Sequence, residues 1–109
     1  LTLSSRSGTV DVVVIAPPTG LAASAVVKNK KTATVTLNWT DASNNETGFL
    51  IQRALNPTFT SGVVNQTVGA NITTLKQDVG RGIIYYYRAH AFDDTTQSDW
   101  SNTATVTTP

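Results

Sequence analysis

Val79-Gly80-Arg81-Gly82-Ile83-Ile84-Tyr85-Tyr86-Tyr87-Arg88-Ala89-His90-Ala91 is the stretch on which the fold of this chain turns. Gly80-Arg81-Gly82 supplies a tight turn with permissive backbone. The longest β-run of the sequence follows it, from Ile83 to Phe92. A strand sends successive side chains to opposite faces, so Tyr85, Tyr87, Ala89 and Ala91 share one face of this run. Tyr86, Arg88, His90 and Phe92 share the other.

Outward from this stretch the period stays at two, and turn signals recur every eight to twelve residues or so, the spacing expected of a sandwich. Upstream, the reading gives strands over Leu21 to Val27, Ala33 to Thr40, residues 49 to 55, Val63 to Val68 and Ile72 to Gln77. Val35, Leu37 and Trp39 alternate cleanly with Thr34, Thr36, Asn38 and Thr40. Lys28-Asn29-Lys30-Lys31, the polar loop 41–48, and Asn56-Pro57 with Ser61-Gly62 punctuate these runs. Downstream, a polar loop leads to a last strand over Thr103 to Thr108. Thr and Val dominate and glycines interrupt, so no helix of useful length fits. The expected fold is all-β, an immunoglobulin-like sandwich of seven antiparallel strands in two packed sheets.

Composition narrows the chemistry. The 109 residues suffice for one core and contain no cysteine, which excludes disulfide scaffolds, thiol nucleophiles and cysteine zinc sites. Eight basic and seven acidic side chains leave a net charge of +1, so the overall field hints at neither nucleic acid nor a charged membrane. No stretch reaches the roughly 18 apolar residues that span a bilayer. The chain begins at Leu1 without methionine or signal peptide, which reads as a piece of something longer. Ala16-Pro17-Pro18-Thr19-Gly20 breaks a short β-run at Val10 to Ile15. Residues 1–16 are accordingly read as a linker or the last strand of a preceding domain, and residues 17–109 as the domain itself.

At this point the residues resemble a known family, the fibronectin type III domain, over roughly residues 17–109. Pro17-Pro18-Thr19-Gly20-Leu21 is similar to its entry segment, with Leu21 plugging the sandwich bottom. Val35, Leu37 and Trp39 resemble its second strand. A tryptophan there, without cysteine, separates the chain from antibody-type domains, whose tryptophan lies on the third strand against a disulfide. Glu46-Thr47-Gly48-Phe49-Leu50-Ile51-Gln52-Arg53 resembles the third strand, and the 79–91 stretch the turn and sixth strand. Val79 stands six residues before Tyr85, which suits a tyrosine corner: the hydroxyl bonds backbone near Val79 to Arg81 while the ring stays buried. The implied core is Leu21, Trp39, Phe49, Ile51, Val79, Tyr85 and Tyr87. Ala89 and Val79 depart from the family by being smaller than usual, which shrinks the core slightly.

Candidate chemistry is sparse. His90, the single histidine, is expected on the outward face of its strand with no acid–base partner, hence as a surface residue. The loop Asp93-Asp94-Thr95-Thr96-Gln97-Ser98-Asp99 clusters carboxylates as calcium sites do, but lacks the glycine and terminal glutamate of an EF-hand and reads as a solvated hairpin loop. Ser98-Asp99-Trp100-Ser101 resembles half of the tryptophan–serine box of cytokine-receptor members of the wider group, with Gln97 where the first tryptophan stands. That resemblance implies Trp100 stacked on the Arg88 guanidinium; the competing reading makes Tyr86, Arg88, His90, Phe92 and Trp100 an exposed recognition surface. No Arg-Gly-Asp sequence is present. Asn38, Asn45, Asn65 and Asn71 each head an N-X-T sequon, a mild enrichment in a Thr-rich chain.

The expectation is therefore a non-enzymatic module without catalytic residues, metal or cofactor, part of a larger secreted or cell-surface protein and so extracellular. Its partners are expected to be neighbouring domains of the same polypeptide, and its Thr/Asn-rich style resembles modules of bacterial extracellular proteins. The alternative is a module that binds carbohydrate or protein through loops 41–48 and 93–99 or the Tyr86/Trp100 face. Neither reading involves nucleic acid or membrane insertion.

Overall fold

The computed structural model describes residues 14–109; most of the expected β-run from Val10 lies outside them. Among the described residues seven strands form in chain order: β1 Thr19–Val27, β2 Thr32–Thr40, β3 Gly48–Ala54, β4 Val64–Gly69, β5 Thr74–Gly80, β6 Ile84–Phe92 and β7 Ala104–Thr107. They make an antiparallel three-stranded sheet in the order β1-β2-β5 and an antiparallel four-stranded sheet in the order β4-β3-β6-β7. The described residues are all-β, an immunoglobulin-like sandwich of seven antiparallel strands.

The alternation of β2 sets the geometry. Ala33, Val35, Leu37 and Trp39 are buried, while the Thr and Asn residues between them are half-buried or exposed. The facing sheet contributes Phe49 and Ile51 from β3, Tyr85, Tyr87, Ala89 and Ala91 from β6, and Ala104 and Val106 from β7. Val79 and Leu21 complete the inner layer, and Trp39 meets Phe49 edge-on at 5.7 Å between ring centroids. Ile15, with 3% of its surface exposed, belongs to the same cluster, so the core reaches two residues upstream of Pro17.

Several elements differ from their expected bounds. β5 starts at Thr74 rather than Ile72 and runs on to Gly80, because residues 70–73 form the turn out of β4. Asn71 takes a left-handed φ of 65° there and leaves Ile72 exposed. Gly82, at φ 67°, closes the turn into β6, where its N–H donates to the carbonyl of Thr108 at 3.2 Å. The Tyr85 hydroxyl accepts the Gly80 N–H at 3.1 Å, across that same turn. Tyr85 is buried, and the guanidinium of Arg53 lies 5.3 Å from its ring.

At Gly48 neighbouring atoms crowd the sheet's outer side. A Cβ there would come within 2.5 Å of the Val68 carbonyl oxygen and 2.9 Å of the Phe92 ring. Glycine at this site lets Phe92 fold flat over β3, and that positions one end of the candidate site.

Candidate functional site

The outer face of β6 is where the two functional readings divide. Tyr86, Arg88, His90 and Phe92 project there, as the alternation requires, and all but His90 are half-buried. Trp100, from the segment between β6 and β7, folds back over them. Its ring lies 4.0 Å from the Arg88 guanidinium carbon and 4.5 Å, edge-on, from the His90 ring. Two serines fix that fold-back: Ser98 Oγ accepts the Ala91 N–H at 2.9 Å and Ser101 Oγ accepts the Ala89 N–H at 3.0 Å. The backbone N–H groups of Ser98 and Ser101 return bonds to the carbonyls of Ala91 and Ala89. Ser98-Asp99-Trp100-Ser101 thus supplies β6 with the partners that β7, too short to reach so far, does not.

Phe59 covers the other side of Arg88, at 4.2 Å from ring centroid to guanidinium. This residue was not singled out in the sequence. It sits in the loop between β3 and β4 with 8% exposure and a left-handed φ of 56°, rare for an aromatic. Asn56 organises the loop: its Oδ1 accepts the N–H groups of Thr60 and Ser61, and its Nδ2 donates to the hydroxyls of Thr58 and Thr60. A lone aromatic in a polar loop is the available signal, since it must find an apolar or cationic surface to cover it. Arg88 is held from a third direction by its Nε–H, which donates to Gln52 Oε1 at 2.8 Å. Burial pulls the Arg88 pKa below its ordinary value.

His90 corrects one expectation. It is not a surface residue: 6% of it is exposed, because Trp100 covers one side and Phe92 packs edge-on at 6.4 Å on the other. The alternation put it outward but could not reveal the ring that closes over it. Burial, with a smaller contribution from the Arg88 charge, holds its pKa below the usual imidazole value, against the opposing effect of the Ala91 carbonyl near Nδ1. Among the described residues no carboxylate bonds to either ring nitrogen.

Beyond His90 and Phe92 the face opens into a groove of about 410 Å³, with Leu50 and Thr67 across from them and residues 93–97 as its rim. Asp93 is committed to its own turn. Its Oδ1 accepts the Thr95 and Thr96 N–H groups at 2.8 and 2.7 Å, which hold its pKa low. In loop 41–48, Glu46 is likewise internal, with one oxygen on the Ser43 hydroxyl and the other on the Asn71 N–H. Burial opposes its ionisation, but hydrogen bonds from backbone and Ser43 outweigh that and lower its pKa. Among the described residues, no group of three or more His, Asp or Glu side chains is placed to share a metal ion.

These features define a fibronectin type III-like sandwich, closed by Trp39 and a tyrosine corner, with an aromatic–arginine stack on one outer face. No family model matches the sequence, and no curated protein matches it. Solved structures do. An Fn3-like protein from Clostridium thermocellum superimposes with a TM-score of 0.60 at 25% identity, covering 89% of this chain and 96% of that one. The structure of titin kinase and its flanking domains gives 0.67 at 21% identity over 89% of this chain, which spans 18% of that larger chain. A two-domain fibronectin type III segment of chicken tenascin gives 0.66 at 19%, covering 87% of this chain and 51% of that one. The chain has the fibronectin type III-like fold, a fold that occurs as one domain within longer polypeptides.

Proposed function

We propose that this chain is a non-catalytic module of a larger secreted or cell-surface protein, serving as a spacer and domain-packing element. One observation carries the reading: Trp100, the ring that a recognition surface on this face would need free, is stacked on its own sheet. Trp100 covers Arg88 and His90, and Phe59 covers the far side of Arg88. The carboxylates of Glu46 and Asp93 are likewise tied into the fold. Among the described residues the His90 ring has only the Ala91 carbonyl at hydrogen-bond distance, which is no proton-transfer partner. The low charge and the Thr- and Asn-rich composition accord with export from the cell.

A second reading, recognition of carbohydrate or protein, draws support from the groove beside Phe92, whose volume lies within the range of ligand sites. A glycan array and a protein pull-down with the 109-residue chain separate the two. No recovered partner supports the spacer. A partner that is lost on Phe92→Ala, with the thermal melt retained, supports recognition and overturns it.

A further inference from the structure

A sandwich of this kind has four sheet edges, and an unpaired edge offers a row of backbone donors and acceptors to any passing strand. Three edges here carry protection. β1 has a register shift between Thr19 and Ala22, and the Asn102 side chain takes both backbone groups of Leu21, accepting its N–H and donating to its carbonyl at 2.9 Å each. β7 is four residues long and lies beside β1. β5 carries Lys76 and Asp78, and Asp78 pairs with Lys28.

β4 has none of these. Val64-Asn65-Gln66-Thr67-Val68-Gly69 contains no charge and no proline, pairs with β3 in unbroken register, and is exposed except at Val68. Among the described residues no strand pairs along its other side; the Gln66 side chain turns toward the facing sheet, where its Oε1 accepts the Gln77 Nε2–H of β5 at 2.8 Å. We infer that β4 is an interaction surface for a second copy of this chain, joined antiparallel edge to edge about a two-fold axis through Gln66.

The sequence of the strand is self-complementary about that residue. With Gln66 opposite Gln66 of the second copy, Val64 faces Val68 on the inner side and Asn65 faces Thr67 on the outer side, each pair occurring twice by symmetry. Shifting the axis to lie between Gln66 and Thr67 sets Val68 against Asn65 and Val64 against Gly69, a poorer match. The residue-centred register also keeps the inner faces of both copies on the same side, so two four-stranded sheets become one. A neutral edge meets its own copy without like-charge repulsion, which a charged edge could not. One strand pair falls at the weak end of specific interfaces, so association belongs near millimolar concentration.

Sedimentation of the full chain over a series rising to about 1 mM reads this directly. The mass is expected to climb from 11.6 kDa toward twice that value. Asn65→Lys with Thr67→Lys places like charges opposite one another and keeps the mass at the monomer value at every concentration. Asn65→Lys with Thr67→Glu places opposite charges there instead and lowers the concentration at half-dimerisation several-fold. Exchange of the β4 amides that point away from β3 slows only as concentration rises. A wild-type mass constant at 11.6 kDa overturns the inference, as does concentration-independent protection of the β4 amides that point away from β3, which signals an edge covered within one chain. Equal association of the two double variants overturns the register and the inference with it.

Discussion

Replacing Trp100 by alanine strips the cover from Arg88 and His90, and its cost follows from the geometry. Fully buried Trp→Ala changes cost about 3–5 kcal/mol. Trp100 is half-buried, so its packing is worth about 2 kcal/mol. The guanidinium carbon at 4.0 Å adds a cation–π contribution of about 1 kcal/mol, between the exposed and the desolvated cases. A loss of about 3 kcal/mol lowers the melting temperature by roughly 12–24 °C for a domain of this size. Calorimetry or circular dichroism of Trp100→Ala measures it, and a cycle with Arg88→Ala isolates the coupling, expected near 1 kcal/mol. A fall of less than about 4 °C, with no coupling to Arg88, refutes the view that the stack is part of the fold.

Other consequences are as direct. Phe59→Ala removes the second cover of Arg88 and should cost about 2–4 kcal/mol by chemical denaturation, whereas Thr60→Ala on the same loop should cost less than about 1. Tyr85→Phe leaves the Gly80 N–H without its partner and should cost about 1–2 kcal/mol with little change in the denaturant slope. Gly48→Ala drives a methyl group onto the Val68 carbonyl and the Phe92 ring and should destabilise by about 1–3 kcal/mol. The folded pKa of His90 lies below the unfolded value near 6.5, so stability is full above that pH and declines as pH falls toward the folded pKa. His90→Gln should flatten that step and leave untouched the later loss below about pH 4.5, where Glu46 protonates through its own lowered pKa.

How far the sequence reaches can be judged residue by residue. Period-two patterning placed Val35, Leu37, Trp39, Phe49, Tyr85 and Tyr87 on the faces they occupy, because alternation is a local property of the backbone. The end of β4 and the start of β5 were displaced by one or two residues, since Asn71 turns in a left-handed conformation that its sequon neighbours do not announce. Within the site, Trp100 over Arg88 was legible through a resembled motif. Phe59 was not, because its contact with Arg88 depends on how Asn56 folds a nine-residue loop rather than on any pattern within a strand. His90 was misplaced for the same reason: strand alternation says which side a residue faces, not what later segment returns to cover it.

Arg88 is held between two aromatic rings as part of the fold, and proton NMR of its side chain reports on that arrangement. Ring currents from Phe59 at 4.2 Å and Trp100 at 4.0 Å should shift the Arg88 δ and ε protons well upfield of their unfolded positions. The Nε–H, bonded to Gln52, should exchange slowly. Trp100→Ala should move those resonances partway back. Arg88 side-chain shifts within the unfolded range, indifferent to Trp100→Ala, would contradict the account and return these residues to the solvent as a recognition surface.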